Sequence, residues 1–167
     1  MDVLASDLPP LLIDVFAFLF GAAWGSFFNV AIYRLPRGMS VVSPPSQCPS
    51  CGKLIPARHN IPIVGYLLLR GRTACCQTPL SARYPLVELL TALLALAVAH
   101  RDILGAPLEE TAFSACLLAA LHFAFVGGLL VATFVDLERM EIPDEVSLPG
   151  AALYSTMPAM PTVIGCC

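Results

Sequence analysis

The stretch TAFSACLLAALHFAFVGGLLVATFVDLERMEIPD, Thr111 to Asp144, holds no formal charge until Asp136. A bilayer-crossing helix needs roughly 20 mostly apolar residues, and Thr111–Val135 exceeds that before its first carboxylate. The pattern recurs upstream. Val15–Tyr33 carries no charge, and Ser26 and Asn29 are its only strongly polar members. Tyr84–Leu104 is a weaker third run, with Glu88 near one end and His100, Arg101 and Asp102 near the other. Its apolar centre, Leu89–Ala99, needs its flanks to reach across. Val146–Cys167 is charge-free but interrupted by Pro149, Pro158 and Pro161. With 57% hydrophobic and 13% charged residues among 167, and a mean hydropathy of +0.79, the composition excludes an ordinary soluble domain. The sequence predicts an all-α polytopic membrane protein of three to four transmembrane helices with a cytoplasmic cysteine-containing loop. Its segments are 1–14, a helix over 15–33, the loop over 34–83, helices over 84–104 and 111–135, and a C-terminal segment over 136–167 with a possible span from 146.

Charge placement gives an orientation. Seven of the nine Lys and Arg residues, Arg34, Arg37, Lys53, Arg58, Arg70, Arg72 and Arg83, fall between the first two apolar runs, with no Asp or Glu among them. Basic loops stay in the cytoplasm, so the loop is expected inside and the N-terminus outside. A cleaved signal peptide would need a positive n-region, whereas the N-terminus carries Asp2, Asp7 and Asp14 and no Lys or Arg before Arg34. Anionic lipid headgroups satisfy such a basic juxtamembrane loop without nucleic acid. Counting through the spans returns Asp136 to the face that carries the loop.

The segment Pro36–Ser81 is rich in Pro, Gly, Ser and Cys, and four of the seven cysteines lie in it: Cys48 and Cys51 in CPSC, then Cys75 and Cys76 in ACC. Two short-range cysteine pairs resemble a zinc ribbon, which closes a tetrahedral site and ties together a piece too small for its own core. A cytoplasmic location favours metal over disulfides. Adjacency of Cys75 and Cys76 is irregular for such a site, so three alternatives stand: all four cysteines, Cys76 with His59 completing the set, or unligated thiols. Cys116, Cys166 and Cys167 read as small apolar residues in or beside spans. His122 reads as a neutral histidine hydrogen-bonded to a neighbouring helix, against a functional group at mid-bilayer.

Asp136 has three readings: a charge marking a helix end at the interface, one of two cation ligands with Asp144, or half of a carboxylate dyad that activates water. A carboxylate at a helix C-terminus opposes the macrodipole, and Ile142-Pro143 breaks the chain before Asp144. Both features argue against a merely solvated collar.

Taken in order, the motifs resemble those of the bacterial type IV prepilin peptidases, membrane aspartic proteases that also N-methylate the new pilin terminus. GSFFNVAIYRLP (Gly25–Pro36), CPSC, NIPIVGYLLLRGR (Asn60–Arg72), SARYPLVELLTALL (Ser81–Leu94) and FVDLERMEIPDEVSLPG (Phe134–Gly150) carry the resemblance. It implies that Asp136 is the first catalytic aspartate, sharing a proton with a second carboxylate. It also implies prepilin and pseudopilin substrates, a role in type IV pili or type II secretion, S-adenosylmethionine as methyl donor, and the bacterial inner membrane. Two departures stand out. Thr73 occupies the position of the family's third cysteine, and no GxGD, the motif of the second aspartate, occurs in the chain. Asp144 is a low-ranking substitute, because a dyad needs both carboxylates on rigid supports. The sequence therefore reads as a C-terminally truncated member, with 136–167 the start of the peptidase domain. The rival is a non-catalytic membrane remnant or assembly partner. No glycine-rich nucleotide loop is visible, and GGLL at Gly127 reads as a helix-packing site.

Overall fold

A computed structural model describes residues 9–48, 50–107 and 111–139. Asp144 and the candidate fourth span from Val146 lie outside the described residues, as do Cys166 and Cys167. Three long helices form the body. Helix α1 (Pro10–Arg34) starts with a proline in its first turn, where the missing N–H is no loss. It runs on through a 3-10 turn, Leu35–Arg37, that stops at Gly38 in the left-handed region, φ 63°. After the loop, which holds the short helix α2 (Val64–Leu68), comes α3 (Arg83–Ala99), continued by a π-helical turn over His100–Leu104. Helix α4 (Ala112–Arg139) is the longest. The described residues contain no strand, only isolated bridges in the loop.

Two of these helices, over Pro10–Arg37 and Ala112–Glu138, are long and apolar enough to cross a membrane. Helix α3 has 17 residues, about 26 Å at 1.5 Å per residue, and needs its π-helical continuation to approach the roughly 30 Å hydrocarbon core. Exposed apolar side chains such as Leu11, Phe16, Leu19, Phe113, Leu117 and Leu129 cover the outside of α1 and α4.

Small residues set how α1 meets α3. A Cβ on Gly21 would lie 2.6 Å from Ala95 Cβ and 2.7 Å from Ala92 Cα, and one on Gly25 would lie 2.6 Å from Glu88 Cα. The two backbones thus approach where only glycine fits, a packing also used by close helix pairs within membranes. Gly127 on α4 makes room for a side chain instead, since a Cβ there would meet the Phe28 ring at 2.7 Å. This is the packing role that GGLL suggested. Phe28, Ala31, Ile32, Val87, Leu130, Val131 and Val135 form one core joining all three helices.

Side-chain contacts fix the direction of each helix. Asn29, late in α1, bonds the Tyr84 carbonyl at the start of α3, and Arg83 pairs with Glu138 in the last turn of α4. At the opposite end His100 lies 2.8 Å from Asp14 and His122 lies 2.7 Å from Asp102. The end of α1, the cysteine loop, the start of α3 and the end of α4 therefore share one face of the bundle. His122 does bond a neighbouring segment, and its partner is a buried carboxylate that the π turn carries inward.

Candidate functional site

Within the loop the chain repeats one turn twice. Cys48 N–H bonds the Lys53 carbonyl at 2.8 Å, and Gly52 N–H bonds the Cys48 carbonyl at 3.0 Å. Likewise Thr73 N–H bonds the Thr78 carbonyl at 2.9 Å, and Gln77 N–H bonds the Thr73 carbonyl at 3.0 Å. Gly52 and Gln77 both take positive φ, 69° and 57°, and each turn is closed by a bridge, Gln47 to Leu54 and Arg72 to Pro79. Thr73 therefore stands in the second turn where Cys48 stands in the first, and Cys76 matches Cys51. The place that Thr73 leaves without a sulfur is taken by Cys75.

The four sulfurs of Cys48, Cys51, Cys75 and Cys76 lie within 4.8 Å of one another. Cys51–Cys75, Cys48–Cys76 and Cys75–Cys76 are 3.3, 3.5 and 3.7 Å apart. A tetrahedron with zinc–sulfur bonds of about 2.3 Å has edges of about 3.8 Å, so the cluster is close to the size that one ion requires. An all-thiolate set suits zinc among the common divalent ions. His59 is not part of this group; it lines a cavity described below.

Protons are unevenly shared among these thiols. The Thr73 and Thr78 hydroxyls, with Cys48, lower the Cys76 thiol to about 6. Hydrogen bonds to Cys51 and then Cys48 push Cys75 up to about 12. The backbone N–H groups of Cys51 and Ser50 hold Cys48 below the ordinary thiol range. Bound metal requires thiolates, and the two threonine hydroxyls already favour one.

Val135, fully buried, pins the end of α4 into the core. The next residue, Asp136, is exposed. It lies inside the last turn of α4, which continues to Arg139, rather than where the helix stops. Through Arg83–Glu138 this turn is held against the start of α3, the point at which the cysteine loop ends.

Sequence reasoning missed a third feature. A cavity of about 400 Å³ lies between α1, α3 and the loop, lined among others by Asn29, Arg34, His59, Tyr66, Tyr84 and Glu88. In an apolar run Asn29 and Glu88 read only as impurities. Their shared signal was the pair of glycines, Gly21 and Gly25, that brings the two helices into contact.

A four-sulfur loop at one end of a membrane-type helix pair, with a carboxylate on the same face, defines a recognisable class. The family described as Bacterial Peptidase A24 N-terminal domain matches residues 19–101, and over those residues the chain belongs to that family. Its relatives carry a more particular name. The chain is 39% identical over 146 residues to the prepilin leader peptidase/N-methyltransferase of Klebsiella pneumoniae, covering 84% of this chain and 59% of that protein. It is 42% identical over 181 residues to the protein of that name from Aeromonas hydrophila, covering 92% and 58%. To the one from Neisseria gonorrhoeae it is 36% identical over 168 residues, covering 86% and 54%. The chain thus spans under two thirds of the length of these relatives. No solved structure matches it.

Proposed function

We propose that this chain is the zinc-loop and first-aspartate part of a bacterial prepilin peptidase that works at the cytoplasmic face of the inner membrane. It presents the loop and Asp136 to prepilins and pseudopilins whose basic leader lies inside the cell. The observation that supports this reading is the Arg83–Glu138 pair, which ties the turn bearing Asp136 to the end of the cysteine loop. In this orientation α1, α3 with its π continuation, and α4 are the three spans.

In the dyad chemistry, an ionised carboxylate accepts a proton from water as the water attacks the scissile carbonyl, and its protonated partner donates to the developing oxygen. Asp136 is one member. The other belongs to a GxGD segment, which these 167 residues do not include, and Asp144 ranks well below it. Cys48, Cys51, Cys75 and Cys76 would hold zinc, which cross-links the two turns of a loop too small to have a core. S-adenosylmethionine would supply the methyl group for the new terminus.

The test uses membranes containing the full chain, a leader-bearing prepilin, and a separately expressed GxGD-bearing segment from the Aeromonas relative. Cleavage is expected only with both parts present, and Asp136→Asn is expected to lower it by about 10²–10⁴-fold, the usual share of a general acid–base group. Unchanged cleavage by Asp136→Asn overturns the assignment. A second reading, a non-catalytic membrane partner, is separated from the first by the same assay. That reading predicts co-purification with prepilin, no cleavage under any complementation, and no effect of Asp136→Asn.

A further inference from the structure

The cavity beneath the cysteine loop contains acceptors that nothing among the described residues satisfies. Asn29 is 3% exposed. Its amide nitrogen donates to the Tyr84 carbonyl at 3.0 Å, and its Oδ1 is buried with no partner. Buried polar atoms are rarely left in that state without a reason. The same cavity is lined from α3 by Glu88, 8% exposed. One carboxylate oxygen accepts the Ile63 N–H at 2.6 Å, and the Ser26 hydroxyl adjoins the same group. An ionised carboxylate has about four acceptor sites, so acceptor capacity remains. Ile63 itself sits at φ 62°, a region that a β-branched residue seldom adopts, and this unusual backbone delivers the N–H that orients Glu88. A third acceptor is available at His59, whose Nδ1 is buried without a partner when its other ring nitrogen carries the proton.

The cation nearest to hand is already engaged. Arg34 lines the cavity, but its two terminal nitrogens donate to the Ser40 and Pro44 carbonyls at 2.9 and 2.8 Å. Among the described residues no cation pairs with Glu88. The remaining walls include Tyr33, Tyr66 and Tyr84, ring types that attract organic cations. Orphaned acceptors, a buried carboxylate and aromatic walls favour a donor-rich cation over an anion. The volume of about 400 Å³ falls in the range of small-molecule sites.

We infer that this cavity binds a primary ammonium group, received by Asn29 Oδ1 and the Glu88 carboxylate. That chemistry has two sources: the amino-acid end of a sulfonium methyl donor, and the free α-amino terminus of a peptide. The choice between these two rests on the function proposed above.

The experiment measures binding rather than turnover, so loss of the cleavage reading and loss of this one are separate results. The full chain in nanodiscs is dialysed against radiolabelled S-adenosylmethionine, against a labelled peptide with a free N-terminus, and against its N-acetylated twin. Saturable binding of either of the first two, with none of the acetylated peptide, supports the site and identifies the source. Glu88→Gln keeps the shape and an acceptor for Ile63 but removes the charge, and is expected to weaken binding about tenfold or more, the usual cost of losing a charge-assisted hydrogen bond. Helix content and metal content show whether this variant folds. Should it not fold, Met39→Trp, which fills the cavity from its exposed rim, is expected to abolish binding on its own. The proposal is overturned if neither probe binds, if acetylation makes no difference, or if a folded Glu88→Gln or Met39→Trp protein binds as before.

Discussion

Gly25→Ala tests the helix packing on which the site depends, because its effect can be worked from the structure and has an internal control. The added Cβ would stand 2.6 Å from Glu88 Cα and 3.1 Å from Thr91 Cβ, whereas carbon atoms meet comfortably at about 3.5–4.0 Å. Backbone cannot rotate away as a side chain can, so α1 and α3 must part by about 1 Å. Asn29 lies one turn further along α1, and its 3.0 Å bond to the Tyr84 carbonyl would open to about 4 Å, beyond hydrogen-bond range. Overpacking of this kind costs about 1–3 kcal/mol. The change also replaces a helical glycine, which is favourable by about 1 kcal/mol. Gly128→Ala removes that ambiguity: a Cβ there meets nothing within 4 Å among the described residues, so this variant shows the propensity gain alone. The difference between the two variants, read from unfolding of helical structure in mixed micelles, is therefore expected to be about 1–3 kcal/mol in favour of Gly128→Ala. Equal stabilities would refute the close α1–α3 approach and, with it, the shape of the cavity.

Gly127→Ala should fall between these two variants, since its obstacle is the Phe28 ring at 2.7 Å, a side chain that can turn aside; a loss as large as that of Gly25→Ala in the same titration would contradict this. Elemental analysis of chain purified without chelator should find about one zinc per chain, as expected of a four-thiolate site, and Cys75→Ser should remove most of it; a zinc content near zero would reject the ribbon. In metal-free chain, Cys76, held at about 6, is largely thiolate at neutral pH and should be the first of the four alkylated by iodoacetamide, while Cys75, at about 12, stays protonated. Because the folded value of Cys76 is depressed, any stability linked to its thiolate is present at high pH and lost as pH falls through about 6. Peptide mapping should show Cys76 labelling fall over the same interval, and Thr73→Val should move that interval upward. At the far end of the bundle, His122→Leu leaves the Asp102 carboxylate, 3% exposed, without its histidine and should cost about 3–5 kcal/mol, whereas the double replacement Asp102→Leu/His122→Leu should cost much less; equal losses in the micelle titration would argue against a buried pair.

The helices were legible because a bilayer admits few solutions. Long charge-free runs located α1 and α4; basic residues clustered in one loop implied that this loop and Asp136 share a membrane face, and the Asn29–Tyr84 and Arg83–Glu138 contacts put both at one end of the bundle. Boundaries were less legible. Asp14 lies within α1 rather than ahead of it, where His100 of the neighbouring helix meets it, and α4 continues past Asp136. That Asn29 and Glu88 line one cavity could not be read, since it depends on the register between two helices and not on the composition of either.

The cysteine loop shows the same limit in its sharpest form. Spacing along the chain made Cys75 and Cys76 an awkward pair, because two adjacent residues of an extended chain point in opposite directions. The second turn is not extended. It is wound by the Thr73–Thr78 and Gln77–Thr73 bonds and reversed by Gln77 at positive φ, and a glutamine in that conformation is one that no spacing rule would foresee. Once wound, the turn carries Cys75 to 3.3 Å from Cys51 and Cys76 to 3.5 Å from Cys48, so each sulfur of the second pair meets one of the first. Thr73, which looked like the loss of a ligand, bonds the Cys76 sulfur at 3.3 Å and lowers its thiol. In the zinc site proposed above, a residue that cannot bind the metal would thus prepare Cys76 to do so, while Cys75 would supply the fourth sulfur.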